Sequence, residues 1–180
     1  MTIRPADPDR DAAACAAIYA PSVEASPISF EVVPPDAAEF ARRIAKYQAT
    51  HQFLVAEEGG EVIGYAYACR WAERAAYDWS VETSVYVDAA HHGKGIGRAL
   101  YTELFERLAA QGFRVAVAGV TLPNPASIGL HERLGFEPIG VLRDIGFKEG
   151  GWRDIGYWQR PLAPLGDGAP EPPLPPGPVG

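Results

Sequence analysis

With 180 residues, 47% of them apolar and 22% charged, the chain is long enough to bury one core and has the size of a single domain. Its formal net charge of -7 argues against broad attraction to nucleic acid or to an anionic membrane, so the expected ligand is small. Cys15 and Cys69 stand in unrelated contexts, the opening segment lacks the layout of a signal peptide, and no apolar run approaches the roughly 18 residues of a membrane span, so a reducing cytoplasm is the expected compartment.

In chain order, "DPDRDAAACAAIYA" predicts a helix with Asp7 as N-cap and Pro8 at its first position. "PDAAEFARRIAKYQ" predicts a second, with Asp36 and Glu39 at capping-box spacing and Phe40, Ile44 and Tyr47 on one face. "FLVAEEGGEVIGYAYACRW" reads as strand, Gly59-Gly60 turn, strand, and "SVETSVYVD" as a further strand. Ile96, Leu100, Leu104 and Leu108 then recur at helical spacing. "FRVAVAGVTL" predicts a buried strand and "NPASIGLHERLGF" a short helix ending at Gly135, with two late strands around "IGFKEGGWRDIGYWQR". The order implies an α/β or α+β domain over residues 1–162, a single sheet with helices on both sides.

Residues 163–180 form a proline-rich tail; the last twenty residues hold eight of the seventeen prolines. Few bulky apolar groups are available there to offset the entropy of ordering, so a solvated tail is expected. Its PxxP spacings are the only hint of an SH3-like partner.

The segment "HHGKGIGRAL" places Gly93, Gly95 and Gly97 where a strand becomes a helix. A helix N-terminus leaves unpartnered N–H groups and about half a positive charge, and glycine lets a phosphate approach that backbone. Lys94 and Arg98, flanking Ile96, add donors that suit a diphosphate. The bland alternative is a flexible turn. The stretch is neither GxxxxGK[ST] nor a GxGxxG after a first βαβ strand, so neither a P-loop nor a dinucleotide fold matches.

"VETSVYVDAAHHGKGIGRALYTELFERL" followed by "TLPNPASIGLHERLGFEPIG" resembles the acetyl-CoA-binding half of the GCN5-related N-acetyltransferases (GNAT), whose pyrophosphate loop reads Gln/Arg-x-x-Gly-x-Gly/Ala. His92 departs from that pattern, whereas Gly95 and Gly97 match it. "AYDWSVETSVYV", "LHERLGF" and "GGWRDIGYWQR" further resemble the phosphinothricin and methionine sulfoximine acetyltransferase group, and the likeness runs over roughly residues 2 to 161. The resemblance implies a twisted, mostly antiparallel mixed sheet of about six to seven strands, acetyl-CoA as co-substrate, a small-molecule amine as acceptor, no metal, and a homodimer.

Attack by an amine requires loss of a proton, because an α-amino group with a pKa of about 8 is mostly protonated at neutral pH. Glu82, in the strand before the glycines, is the candidate general base, and the resemblance points to the same residue; the polar side of a half-buried strand is the alternative. The resemblance also implies that the main chain of Val85, Tyr86 and Val87 pairs with the pantetheine arm, and a β-bulge there would splay the strand to free those groups. Asn124 and Pro125 are accounted for as N-cap and first helical residue; by resemblance Asn124 also contacts the cofactor arm, with Ser127 a weaker candidate. His131 falls where relatives carry a Tyr that protonates the departing thiolate, a role an imidazolium also suits; a hydrogen-bonded core histidine is the alternative. "HERLG" is not HExxH, so no zinc site is expected. By resemblance, Phe30, Arg74, Tyr77, Lys148 and Trp152 belong to the acceptor side, with Arg74 suited to a carboxylate or phosphinate. The leading reading is acetyl transfer to the α-amino group of a small amino-acid analogue. Another small amine, or a non-catalytic acyl-CoA sensor, remains the alternative.

Overall fold

In the computed structural model, which describes residues 1–177, the chain runs β1 (Thr2–Pro5), α1 (Pro8–Glu24), α2 (Ala37–Gln48), β2 (Phe53–Glu58), β3 (Glu61–Arg70), β4 (Ser80–Val87), α3 (Ile96–Gln111), β5 (Val115–Leu122), α4 (Pro125–Arg133), β6 (Glu137–Lys148) and β7 (Gly151–Pro161). The helix starts fall where capping chemistry places them. Asp7 accepts the backbone N–H groups of Asp9 and Arg10, and Pro8 occupies the first helical position. Asp36 accepts from the Glu39 N–H at 2.8 Å, but the return half of the capping box is missing, because the Glu39 carboxylate binds Arg42 and Arg43 instead. Gly59 and Gly60, at φ +62° and +89°, close the two-residue turn between β2 and β3.

β1 was not expected. Its four residues are too few for an alternation signal, and it is held by pairing with β2 and by Arg4, which donates to Asp11 at 2.6 and 2.8 Å and to Glu57. Asp11 is 1% exposed, so this ion pair compensates a charge that burial alone would penalise.

The strands form one mixed sheet in the order β1-β2-β3-β4-β5-β7-β6, antiparallel except for β4 and β5. One face packs against α1 and α2 through Cys15, Phe40, Ile44, Phe53 and Tyr65; the other packs against α3 through the stripe Ile96, Leu100, Leu104, Leu108. Leu100, Leu104 and Leu108 are fully buried, each worth about 1.5–3 kcal/mol of transfer free energy.

The junction that positions the site is β4–β5. β4 pairs with β3 along its length, from Arg70↔Val81 to Gly64↔Val87, but it meets β5 only where Ser80 to Glu82 face Val115 to Val117. Beyond that point β5 follows β7 to Leu122 and the two parallel strands part. The gap opens without the bulge in β4 that the sequence reading invoked: the β3–β4 register is unbroken, and the irregularities lie in β2–β3 and β6–β7.

Beyond Pro161 no regular element occurs among the described residues, yet the tail is held at two points. The Leu174 N–H donates to the Gln111 carbonyl and the Gln111 side-chain amide donates back to the Leu174 carbonyl, both at 2.7 Å, while Trp79 Nε1 donates to the Glu171 carbonyl. Residues 178–180 of the expected tail lie outside the described residues.

Candidate active site

A cleft of about 690 Å³ occupies the gap between β4 and β5. Its walls come from the second half of β4, the glycine loop, the starts of α3 and α4, and the third and fourth turns of α1.

At one end lie the glycines, and the structure divides their work. Gly93 (φ +76°) and Gly95 (φ +80°) adopt the left-handed conformation that side chains disfavour, and both line the cleft just ahead of Ile96, where α3 begins. Gly97 has no such backbone demand: a methyl group there would make ordinary contacts at 3.4 Å to Leu130 Cδ2 and 3.7 Å to Val87 Cγ2, where α3 packs against α4 and β4. Arg98 lines the cleft, whereas Lys94 is exposed at its rim. His92, at the position where the motif has Gln or Arg, turns back so that Nε2 donates to the Val87 carbonyl at 2.9 Å.

Along the wall, backbone alternation turns the main-chain groups of Val85 and Val87 away from β3, while those of Tyr86 pair with it; the Val87 carbonyl is the one His92 holds. Opposite them, Asn124 caps α4 by accepting the Ser127 N–H at 3.1 Å, and both residues line the cleft. His131 also lines it, but at 4% exposure. Its Nδ1 lies 2.8 Å from the Ser127 carbonyl, which only accepts, so Nδ1 carries the proton and Nε2 accepts from the Tyr101 hydroxyl at 3.2 Å. Burial holds its pKa below the ordinary histidine range, with the Ser127 bond opposing. This is a neutral imidazole with both nitrogens engaged, a different setting from the imidazolium the sequence reading considered.

At the apex, where the strands part, Glu82 ends the β4–β5 ladder opposite Val117. Burial alone pushes its carboxyl above the usual carboxylate range, and no side chain among the described residues hydrogen-bonds to it. A methyl group on Gly119 would sit 3.6 Å from Glu82 Oε1 and 3.2 Å from Tyr157 Cε1, so this bare position in β5 is what lets the carboxylate and the tyrosine ring face the same space. Tyr157 is raised by burial and by Glu82, and Trp71 packs edge-on against it at 5.6 Å. Sequence reasoning missed Gly119, Tyr157 and Tyr101. The register that sets Gly119 opposite Tyr157 is a long-range pairing, and nothing local marks it.

The remaining acceptor-side residues are dispersed. Arg74 and Tyr77 are exposed on the β3–β4 connection, and no side-chain hydrogen bond engages either among the described residues. Phe30 lies on the connection between α1 and α2, while Lys148 hydrogen-bonds that connection from the end of β6. Trp152 is 63% exposed and packs edge-on against Phe147, away from the cleft lining. Among the described residues no cluster of His, Cys, Asp and Glu could hold a metal ion, and no helix is long and apolar enough to cross a membrane.

This geometry agrees with what the chain is similar to. The acetyltransferase (GNAT) family matches residues 20–136. A phosphinothricin N-acetyltransferase from Streptomyces viridochromogenes is 43% identical over 179 residues, spanning 99% of this chain and 93% of that protein. An L-methionine sulfoximine/L-methionine sulfone acetyltransferase from Salmonella typhimurium is 39% identical over 90% of this chain and 95% of its own. The crystal structure of a phosphinothricin acetyltransferase from Sinorhizobium meliloti in complex with acetyl-CoA superposes with a TM-score of 0.89 at 40% identity, covering 94% of this chain and 92% of that one. The chain belongs to the GNAT family of acetyltransferases.

Proposed function

We propose that this N-acetyltransferase moves the acetyl group of acetyl-CoA to the α-amino group of a small amino-acid analogue of the phosphinothricin or methionine sulfoximine kind, by direct attack. Such acceptors are named for its relatives. The observation that carries the reading is the gap itself: two parallel strands part just beyond Glu82, with left-handed glycines at one end of the cleft and, beside Gly119 of its lining, a desolvated carboxylate.

Those features fit the coenzyme. The N–H groups around Gly93 and Gly95, with the start of α3 and Arg98, suit a diphosphate; the edge of Val85 to Val87 suits a peptide-like arm. Acetyl-CoA supplies an acyl group activated as a thioester. Glu82 then takes a proton from the acceptor's ammonium group, directly or through water, and its raised pKa brings it nearer the working pH than an ordinary carboxylate. His131, the residue proposed to protonate the departing thiolate, also braces the first turn of α4: its Nδ1 proton is held by the Ser127 carbonyl and its Nε2 meets the Tyr101 hydroxyl. Arg74 remains the cation assigned to the acceptor's acid group, with Tyr77 beside it.

We further propose a homodimer through the β6–β7 hairpin, where Ile139, Val141, Leu142, Ile145 and Phe147 are all exposed on an edge strand, a surface that sedimentation would find covered. The net charge of -7 supports a small-molecule acceptor rather than nucleic acid or a membrane, and the unpaired Cys15 and Cys69 support a cytoplasmic setting. Initial rates of CoA release over a panel of amino acids, their analogues and polyamines test the proposed reaction. Release with amino-acid analogues above all other amines is expected. Tight acetyl-CoA binding without release for any amine would make the chain a sensor instead.

A further inference from the structure

We propose that Lys148 is a positioning residue for the acceptor: its ammonium clasps the α1–α2 connection at Ser29 and Glu31 and seats that segment as a wall of the amine side of the cleft. The inference rests on the acetyl-transfer reading above.

Lys148 is the last residue of β6, and its Nζ donates to the Ser29 carbonyl at 2.5 Å and the Glu31 carbonyl at 2.9 Å. An ammonium has three donors and no acceptor, so two of the three are committed to main chain. Between the two carbonyls, the ring of Phe30 lies on the bare backbone of Gly146; a methyl group there would come within 2.1 Å of Phe30 Cε2. The connection thus rests on β6 through one charged and one apolar contact, two residues apart on that strand.

The same segment is tied from three further elements. Thr121 in β5 donates to the Ile28 carbonyl at 3.0 Å, and both residues line the cleft. Tyr19 in α1 shares a hydrogen bond with Ser29 Oγ at 2.6 Å and donates to Glu31 at 2.9 Å. Arg43 in α2 grips the Glu31 carboxylate at 2.7 and 2.9 Å. The connection is therefore tied to the end of β5 at Thr121, two residues along that strand from Gly119, beside which the Glu82 carboxylate lies. Lys148 and Arg43 are the cations in this arrangement, and Lys148 alone of the two fixes the main chain. Its charge is satisfied by two carbonyl dipoles within the chain, so it shapes the acceptor's wall without meeting the acceptor's acid group.

The two roles separate experimentally in the full-length protein. An amino-acid acceptor and its primary carboxamide have nearly the same shape, and the carboxamide lacks the negative charge. If Lys148 seats the wall, Lys148→Met raises KM for both acceptors by the same factor, about ten-fold from losing charged hydrogen bonds, leaves kcat little changed, and speeds amide hydrogen exchange over residues 26–33. Lys148→Arg, which keeps donors for both carbonyls, restores most of the loss. Unchanged acetyl-CoA affinity by calorimetry shows that the variant is folded. A KM increase confined to the charged acceptor, or unaltered exchange in that segment, overturns the proposal. If the wild-type chain releases no CoA with any amine, the acetyl-transfer reading falls, and the exchange measurement still decides whether Lys148 holds the segment.

Discussion

The two ends of the cleft are built from different material. The end we assign to the coenzyme is mostly backbone: left-handed glycines, the first turn of α3 and the edge of β4 that leaves β5. The amine end is side chains and a tethered connection: Glu82, Tyr157, Thr121 and the segment held by Lys148. Backbone recognition needs only the right φ angles and no particular side chain, so it survives wide changes in sequence. Side-chain recognition depends on partners drawn from four separate elements, so acceptor choice can drift while the coenzyme end stays fixed.

The largest test of that contrast is Glu82→Gln. It keeps the shape of the amine end and is expected to lower kcat by about a hundred- to ten-thousand-fold while acetyl-CoA affinity in calorimetry holds. Because Glu82 acts only when ionised and burial raises its pKa, the wild-type rate should fall with decreasing pH at a value above the usual carboxylate range, and the variant should lose that limb. The sign for stability is opposite. A carboxyl whose folded pKa lies above its unfolded value weakens the fold as pH rises through the two, so Glu82→Gln should melt higher than wild type at neutral pH. Full activity in this variant would move the base elsewhere.

Gly95→Ala probes the other end. Open space surrounds the position, but its φ of +80° strains any side chain. About 1 kcal/mol of strain should weaken acetyl-CoA binding by about five-fold, with kcat at saturation preserved. An unaltered Kd would separate the diphosphate from this turn.

The smallest effect belongs to the tail, which we propose lies outside an acetyltransferase domain ending near residue 162. Deleting residues 166–180 removes the bonds to Gln111 and Trp79, each worth about 1 kcal/mol net, and should lower Tm by about 2–4 °C per kcal/mol lost. Kinetic constants for both ends of the cleft should stay as they are. Loss of turnover would give the tail a part in function.

The same contrast explains what was legible in the sequence. Caps and glycines act within a few residues, so Asp7, Asp36, Asn124 and the loop at Gly93 to Gly97 announced the helix starts and the turn at which we propose the diphosphate binds. Glu82, the base we propose, stood out because a carboxylate lies on a strand leading into that loop, and the resemblance named it. The gap was not legible: it depends on where a parallel ladder stops, and no bulge in β4 accompanies it. The hydrogen-bonded core setting of His131 was one of two readings the sequence offered, but its partner Tyr101, thirty positions away, reads only as core. The tail misled by composition: its prolines bring little to bury, but the buried amide of Gln111 offers it a main-chain anchor.

A row of unmatched strand amides on a protein's outside is an invitation to stick to the next molecule. Here the unmatched edges of β4 and β5 face each other at the floor of a crevice walled by α1, α3 and α4. A slender peptide-like chain can reach them, and a neighbour's sheet cannot, so the molecule keeps a strand-pairing site in stock with no exposure to aggregation through it.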